Sequence, residues 1–436
     1  MKFKQIIFSG IFWRGLYFVT VLLLNIIVSR YFHAKGSGWI YYITNFFSLI
    51  ILLASLSLES GMTYFGSKKS ISVNKLATFS LVWSAAVSLT VVLLLFFYYH
   101  RPEQEYTRSQ FLFFSITYTS GILLTSFFCA LFYAQQNYSL PNTLLAVTNI
   151  LLMMAVLFSG SVTKQFAGRF FLHLYFFNYL LQGIILSVAY LIKNKIFRKW
   201  ALPGIAEMKL LFRFSLFAFL NNLVFFLLYR VDYWFVKNIC RTCVENDLGN
   251  YIQVSKIGQM FLLLPVIIAS AIFPLTASGL RSEVNNGLPV LARAIIVFYI
   301  IILSFLVITG QWLVPWVYGN TFDRMYLPFI LLIPGIFALS TIALITAYNS
   351  GKNKMVINMK GSLLGLLIII AGDWLLIPLY GIAAAAAVSS TGYIAYLVYL
   401  LYIFKKEYHI PVSKFFIPAK ADWKRLQQML SSHEAN

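Results

Sequence analysis

The sequence predicts an all-α polytopic membrane protein of about twelve transmembrane helices, arranged as two six-helix halves. Three observations carry this prediction. Of 436 residues, 60% are hydrophobic and only 11% are charged, whereas soluble domains carry roughly 25% charged residues. The apolar residues fall in continuous runs of about 20, the length a helix needs to cross a bilayer. The basic residues crowd into alternate loops, as the positive-inside rule requires of a multi-pass protein.

Taken in order, the runs lie near 6–32, 39–58, 76–99, 111–134, 141–162 and 168–192. They resume near 210–236, 250–277, 289–309, 326–348, 355–377 and 381–403. β-Barrel spans would instead show short alternating segments. The run from Ile6 to Phe32 is far longer than a signal-peptide core and has no small-x-small cleavage site behind it, so it reads as a span. Pro265 and Pro274 are expected to interrupt the eighth span, and Pro328 and Pro334 the tenth, because proline removes a helical hydrogen bond. Gly381 to Ala387 form a small-residue stretch suited to close helix packing.

With the N-terminus inside, 21 Lys and Arg fall on the cytoplasmic side and 9 on the other. Arg14, Arg213, Arg230 and Lys256 fall inside or at the ends of spans. Both termini are therefore expected in the cytoplasm, as in an inner-membrane protein. The net charge of +21 would suggest nucleic acid in a soluble chain; here it serves topology, and no nucleic-acid partner is expected.

The basic connector Lys193–Lys209 marks the expected boundary. Residues 1–199 form the N-terminal six-helix bundle and 200–404 the C-terminal one. Residues 405–436 form a cytoplasmic tail, in which Trp423, Leu426, Met429 and Leu430 share one face of a short amphipathic helix. A faint internal echo supports two parallel repeats: Gly38-Trp39-Ile40-Tyr41 opens the second span and Gly249-Asn250-Tyr251-Ile252 the eighth. Every loop is short, so no soluble catalytic domain fits.

Charge inside a span is expensive and marks function by default. Of 13 acidic residues, only Asp232 and Asp373 lie well inside spans. Among the cations, Arg14, Arg230 and Lys256 suit an anionic substrate such as a pyrophosphate; the alternative is an ion pair for Arg230 and snorkelling for Arg14 and Lys256. Asp232 and Asp373, with Ser389, Ser390 and Thr391, offer the oxygen ligands that hard cations prefer, or form a structural ion pair. Cys240-Arg241-Thr242-Cys243 lacks the two further ligands a zinc site needs. It reads as a local disulfide or a pair of inert thiols.

Several stretches resemble one family. They are Leu228-Tyr229-Arg230-Val231-Asp232-Tyr233 with Gly249-Asn250-Tyr251 and Pro265, then Pro315-Trp316-Val317-Tyr318-Gly319 with Tyr326, then Leu376-Ile377-Pro378-Leu379-Tyr380-Gly381-Ile382-Ala383-Ala384-Ala385. The region around Gly36, Gly38 and Leu58-Glu59-Ser60-Gly61 is also similar. From about Ile6 to Phe404 the chain resembles the polysaccharide-transporter, or O-antigen flippase, branch of the multidrug/oligosaccharidyl-lipid/polysaccharide (MOP) superfamily. It departs from the family pattern in an alanine run after the last glycine motif and in Asp373, where Asn is usual.

The resemblance implies a flippase built of two six-helix bundles around a central cavity. It would carry an undecaprenyl-pyrophosphate-linked glycan across the lipid bilayer for O-antigen or capsule synthesis, in company with glycan polymerase machinery. On this reading Arg14, Arg230 and Lys256 would meet the pyrophosphate, and the resemblance adds weight to Na+ or H+ coupling at Asp232 and Asp373, with Ser389, Ser390 and Thr391 as further oxygens and no cofactor beyond that ion. Two other readings compete. A cation-coupled multidrug exporter of the same superfamily predicts carboxylates in the N-terminal spans, and none lies deep there. A glycan polymerase, ligase or membrane acyltransferase predicts a large periplasmic loop or a buried catalytic His, and neither is found.

Overall fold

The computed structural model describes residues 3–98, 107–158, 164–196, 200–277, 281–408 and 411–417. The expected amphipathic helix of the tail lies outside the described residues. Among these residues regular structure is helical throughout. In order the helices are α1 (Phe3–Ser55), α2 (Leu58–Ser67), α3 (Val73–Tyr98), α4 (Arg108–Ala134), α5 (Ser139–Phe158) and α6 (Lys164–Lys193). They continue as α7 (Ile205–Ile239), α8 (Asp247–Phe261), α9 (Leu263–Ala277), α10 (Arg281–Tyr318), α11 (Tyr326–Gly351) and α12 (Met355–Tyr408).

Among the described residues, ten apolar helical stretches are long enough to cross a membrane. Those of α1 and α12 run for 44 and 54 residues, about twice the roughly 20 that one crossing needs. Each contains one residue with non-helical backbone: His33 in α1 (φ 56, ψ −176) and Gly381 in α12 (φ 62, ψ −143). The expected loop after the first span thus shrinks to His33. The helix resumes at once because its glycines are needed for contact, not for a turn. A Cβ on Gly38 would lie 2.6 Å from the Gly249 nitrogen, and one on Gly249 would lie 1.9 Å from the Ala34 carbonyl oxygen. After Ser55, Leu56 and Ser57 take left-handed backbone (φ 51 and 52) and turn the chain into α2.

The prolines act differently from expectation. The eighth span breaks at Leu262, between α8 and α9, one turn before Pro265, and the backbone around Pro274 stays helical. Having no N–H, Pro265 leaves the Phe261 carbonyl without its helical donor. The Tyr299 hydroxyl of α10 donates to that carbonyl instead. In the tenth span α11 runs unbroken through Pro328 and Pro334. Pro328 falls in the first turn, where its missing N–H has no helical partner to lose.

The helices pack as two compact units, one of Met1–Phe32 and Tyr42–Leu223, the other of His33–Tyr41 and Val224–Asn436. In the first, α4 and α6 meet through glycine, since a Cβ on Gly121 would lie 2.2 Å from the Tyr179 carbonyl carbon. In the second, α12 folds against itself at Gly365 and Gly392, where a Cβ on Gly392 would lie 2.9 Å from the Gly365 carbonyl oxygen. Close backbone approach of this kind lets helices bind each other in lipid, where no hydrophobic drive separates helix from tail.

Candidate functional site

In the second unit α7 and α12 bring two carboxyl groups into the protein interior. Asp232 is 1% exposed and Asp373 fully buried. Asp232 is well supplied with donors. Its Oδ1 accepts the Tyr233 backbone N–H at 2.9 Å, and its Oδ2 accepts the Tyr251 hydroxyl and, at 3.1 Å, the Ser389 hydroxyl. Tyr233 in turn donates its hydroxyl to Ser255 at 2.8 Å, and Gln259 donates to Ser255 at 3.3 Å.

Asp373 is the opposite case. Both its oxygens are buried without a hydrogen-bond partner, yet Asp232 lies within electrostatic reach. The Tyr251 hydroxyl senses both carboxyl groups. Burying a carboxyl group without a hydrogen-bond partner is costly, and the hydroxyl and carboxyl oxygens gathered here are of the kind that hold a proton or a hard cation.

Of the sequence-predicted residues, Asp232 and Ser389 meet directly and Asp373 stands close by. Thr391 does not join them. It is exposed, and its hydroxyl donates to the Ala387 carbonyl of its own helix at 2.8 Å. Two residues along a helix turn a side chain by about 200°, so Ser389 and Thr391 cannot face one point. Ser390 is likewise engaged elsewhere, donating to the Leu331 carbonyl at 2.6 Å. Sequence reasoning missed Tyr251. The signal was α8 itself, which carries Asn250, Gln253, Ser255, Lys256 and Gln259, too many polar groups for a helix facing only lipid.

The three basic residues expected to bind an anion sit on aromatic rings. In the first unit the Arg14 guanidinium lies 4.5 Å from the Tyr133 ring centre and 5.2 Å from that of Tyr138; the two rings are stacked 5.1 Å apart. In the second unit Arg230 lies 5.0 Å from the Phe226 ring centre, and the Lys256 ammonium 2.9 Å from that of Tyr41. Arg230 is within electrostatic reach of Lys256. Rings hold a cation by their quadrupole without cancelling its charge. The carboxylate pairs Lys35–Glu245, Lys75–Glu207, Arg324–Asp247 and Lys354–Glu407 lie instead at helix ends and loops.

The first unit has its own buried polar network, and it is neutral. Asn149 of α5 donates to Thr20 of α1 at 3.2 Å, and its Oδ1 accepts from Asn178 at 3.2 Å and Gln182 at 2.8 Å, both on α6. Gln182 also donates to Thr148 at 3.0 Å.

No family model matches this sequence, and no curated protein matches it either. Solved structures do. The chain aligns with the lipid II flippase MurJ in its inward closed conformation at 13% identity and a TM-score of 0.72, covering 99% of this chain and 93% of that one. A MOP superfamily transporter from Pyrococcus furiosus aligns at 11% identity and a TM-score of 0.65, covering 98% and 96%. The Vibrio cholerae MATE transporter VcmN in its bent form aligns at 15% identity and 0.63, covering 95% and 98%. The chain has the MOP transporter fold and is a multi-pass membrane protein.

Proposed function

We propose that this protein is a flippase that moves an undecaprenyl-pyrophosphate-linked oligosaccharide repeat unit from the cytoplasmic to the periplasmic leaflet of the bacterial inner membrane, for O-antigen or capsule synthesis. The observation that carries the reading is the set Arg14, Arg230 and Lys256: three cations placed within apolar spans, each over an aromatic ring, where charge is costly and marks function. A pyrophosphate is the anion that a lipid-linked glycan presents, and a guanidinium grips its oxygens in a fork. On this reading the chain crosses twelve times, with α1 and α12 each crossing twice about their breaks, and both termini are cytoplasmic. The loop that bears the Cys240–Cys243 disulfide then faces the oxidising side, where such bonds persist. A glycan polymerase system is the natural consumer of the product.

The coupling ion, Na+ or H+, is assigned to Asp232, Asp373 and Ser389, with Tyr251 added. Ion and lipid-linked substrate then act on different residues. The multidrug-exporter reading has less support, because the buried network of Thr20, Thr148, Asn149, Asn178 and Gln182 in the first unit is built of amides and hydroxyls where that reading requires carboxylates.

The test is Arg14→Ala and Arg230→Ala in a strain whose surface glycan is scored. Both variants should lose export and accumulate lipid-linked precursor on the cytoplasmic leaflet at normal protein levels, and Arg230→Lys should restore export only in part. Normal export from both well-expressed alanine variants would end the proposal. Reporter fusions should place 193–209 in the cytoplasm and Lys237–Asp247 outside it.

A further inference from the structure

The disulfide sits on the hinge of the longest helix. A Cβ placed on Gly381, where α12 breaks, would lie 3.1 Å from the Thr242 hydroxyl, 3.6 Å from the Cys243 sulfur and 3.8 Å from that of Cys240. Gly381 takes a backbone conformation that only glycine adopts freely (φ 62, ψ −143), so the loop rests against bare backbone. The same loop begins at the C-terminus of α7, which ends at Ile239.

The spacing of the carboxyl site about this point is regular. Asp232 lies eight residues before Cys240 on α7, Asp373 eight before Gly381, and Ser389 eight after it. Eight helical residues span about 12 Å. Three arms of equal length thus run from one apex, the disulfide loop on Gly381, to the three groups that make up the site.

We propose that the Cys240–Cys243 loop is a redox-dependent clamp that sets the bend of α12 at Gly381 and, through it, the geometry of the Asp232–Asp373–Ser389 site. It is a clamp and not a thiol–disulfide catalyst. Redox-active CxxC pairs sit at helix N-termini, which stabilise a thiolate; Cys240 follows a helix C-terminus, whose carbonyl ends do not. The clamp opens by exchange with a dithiol. Two electrons and two protons pass to the sulfurs, the S–S bond becomes two thiols, and the dithiol closes to its own disulfide. Closure is the reverse, driven by a disulfide-bearing oxidant on the same side.

Hydrogen–deuterium exchange on the full chain in lipid nanodiscs, with and without dithiothreitol, tests this directly. The remaining cysteine, Cys129, is a free thiol, so the reagent acts on one bond. Reduction should speed exchange on the order of tenfold at 376–388 and at 232–239, with α4 and α6 unchanged. Cys240→Ser with Cys243→Ser should reproduce the reduced pattern; if that variant does not fold, the reduced wild-type chain gives the same reading. Gly381→Ala should speed 376–388 with the disulfide intact. Two outcomes overturn the clamp. Acceleration confined to 240–246 means the loop does not hold α12, and uniform acceleration through the second unit means the bond is a general staple. The effect on ion coupling rests on the function proposed above, whereas the exchange pattern does not, so either can fail alone.

Discussion

The two units are both polar inside, but in opposite ways. In the first, Thr20, Thr148, Asn149, Asn178 and Gln182 share hydrogen bonds among neutral groups. In the second, Asp232 takes donors from three directions while Asp373, beside it, has none. A closed neutral network in lipid is a fastener, since it ties α1, α5 and α6 together and needs nothing more. A carboxyl group buried without a hydrogen-bond partner is costly in its charged form. The contrast sets a buried pair of titratable groups in the second unit against a buried network of neutral groups in the first.

The largest effect expected from this contrast is functional and falls on Asp373. Asp373→Asn removes a titratable group while losing no hydrogen bond seen among the described residues. Gradient-driven transport in proteoliposomes should therefore be abolished, with thermal stability in detergent unchanged within about 0.5 kcal/mol or raised. A variant that still answers a Na+ or proton gradient like wild type would place the coupling elsewhere. The matching change in the first unit, Asn149→Leu, should do the reverse. It strands donors on Asn178 and Gln182, which costs about 1–3 kcal/mol of stability, and it should leave the ion dependence of transport unchanged. If the ion dependence shifts, the division between fastener and ion site fails.

A smaller effect separates the two carboxyl groups. Tyr251→Phe keeps the ring that packs against Tyr233 (centroids 6.0 Å apart) and deletes one donor to Asp232. Loss of about 1 kcal/mol should shift the half-saturating ion concentration about fivefold, with maximal rate retained. No shift would mean that Tyr251 is only structural support.

The sequence made some of this contrast legible. Continuous apolar runs marked the helices, and the placement of only two acids well inside those runs drew attention to Asp232 and Asp373. Ser389 and Thr391 looked equivalent because both are hydroxyls near the same level of a span, and only helical rotation separates them. The prolines misled in a physical way. A proline costs a helix only one bond, and α11 runs unbroken through Pro328 and Pro334 where a break was expected. The neutral network of the first unit was invisible, since Asn and Gln in an apolar run carry no sign of which neighbours they meet. The seat of the disulfide on Gly381 was equally hidden, because it joins positions more than a hundred residues apart.

The smallest predicted effect tests the limit of the contrast. At their surfaces the two units are alike. In the first, Lys75 donates to both oxygens of Glu207 at 3.0 and 2.9 Å; in the second, Lys354 donates to Glu407. Each lysine holds its partner below the usual carboxylate range by that hydrogen bond, and the Gly204 N–H adds to the effect on Glu207. A carboxyl group depressed in the folded state adds stability that is complete above its unfolded value, about 4.3 for Glu, and is lost as pH falls through the lower folded value. Both pairs should therefore weaken only below about pH 4. Because the Lys354 and Glu407 side chains are 42% and 29% exposed, solvent screening limits that pair to under about 0.5 kcal/mol. Glu407→Gln and Glu207→Gln should each remove a similarly slight acid-sensitive component from thermal unfolding measured between pH 3 and 7, and neither should alter ion dependence. If one of them does alter it, a surface pair is coupled to the carboxyl site, and the line between a charged interior in the second unit and matched exteriors in both has been drawn in the wrong place.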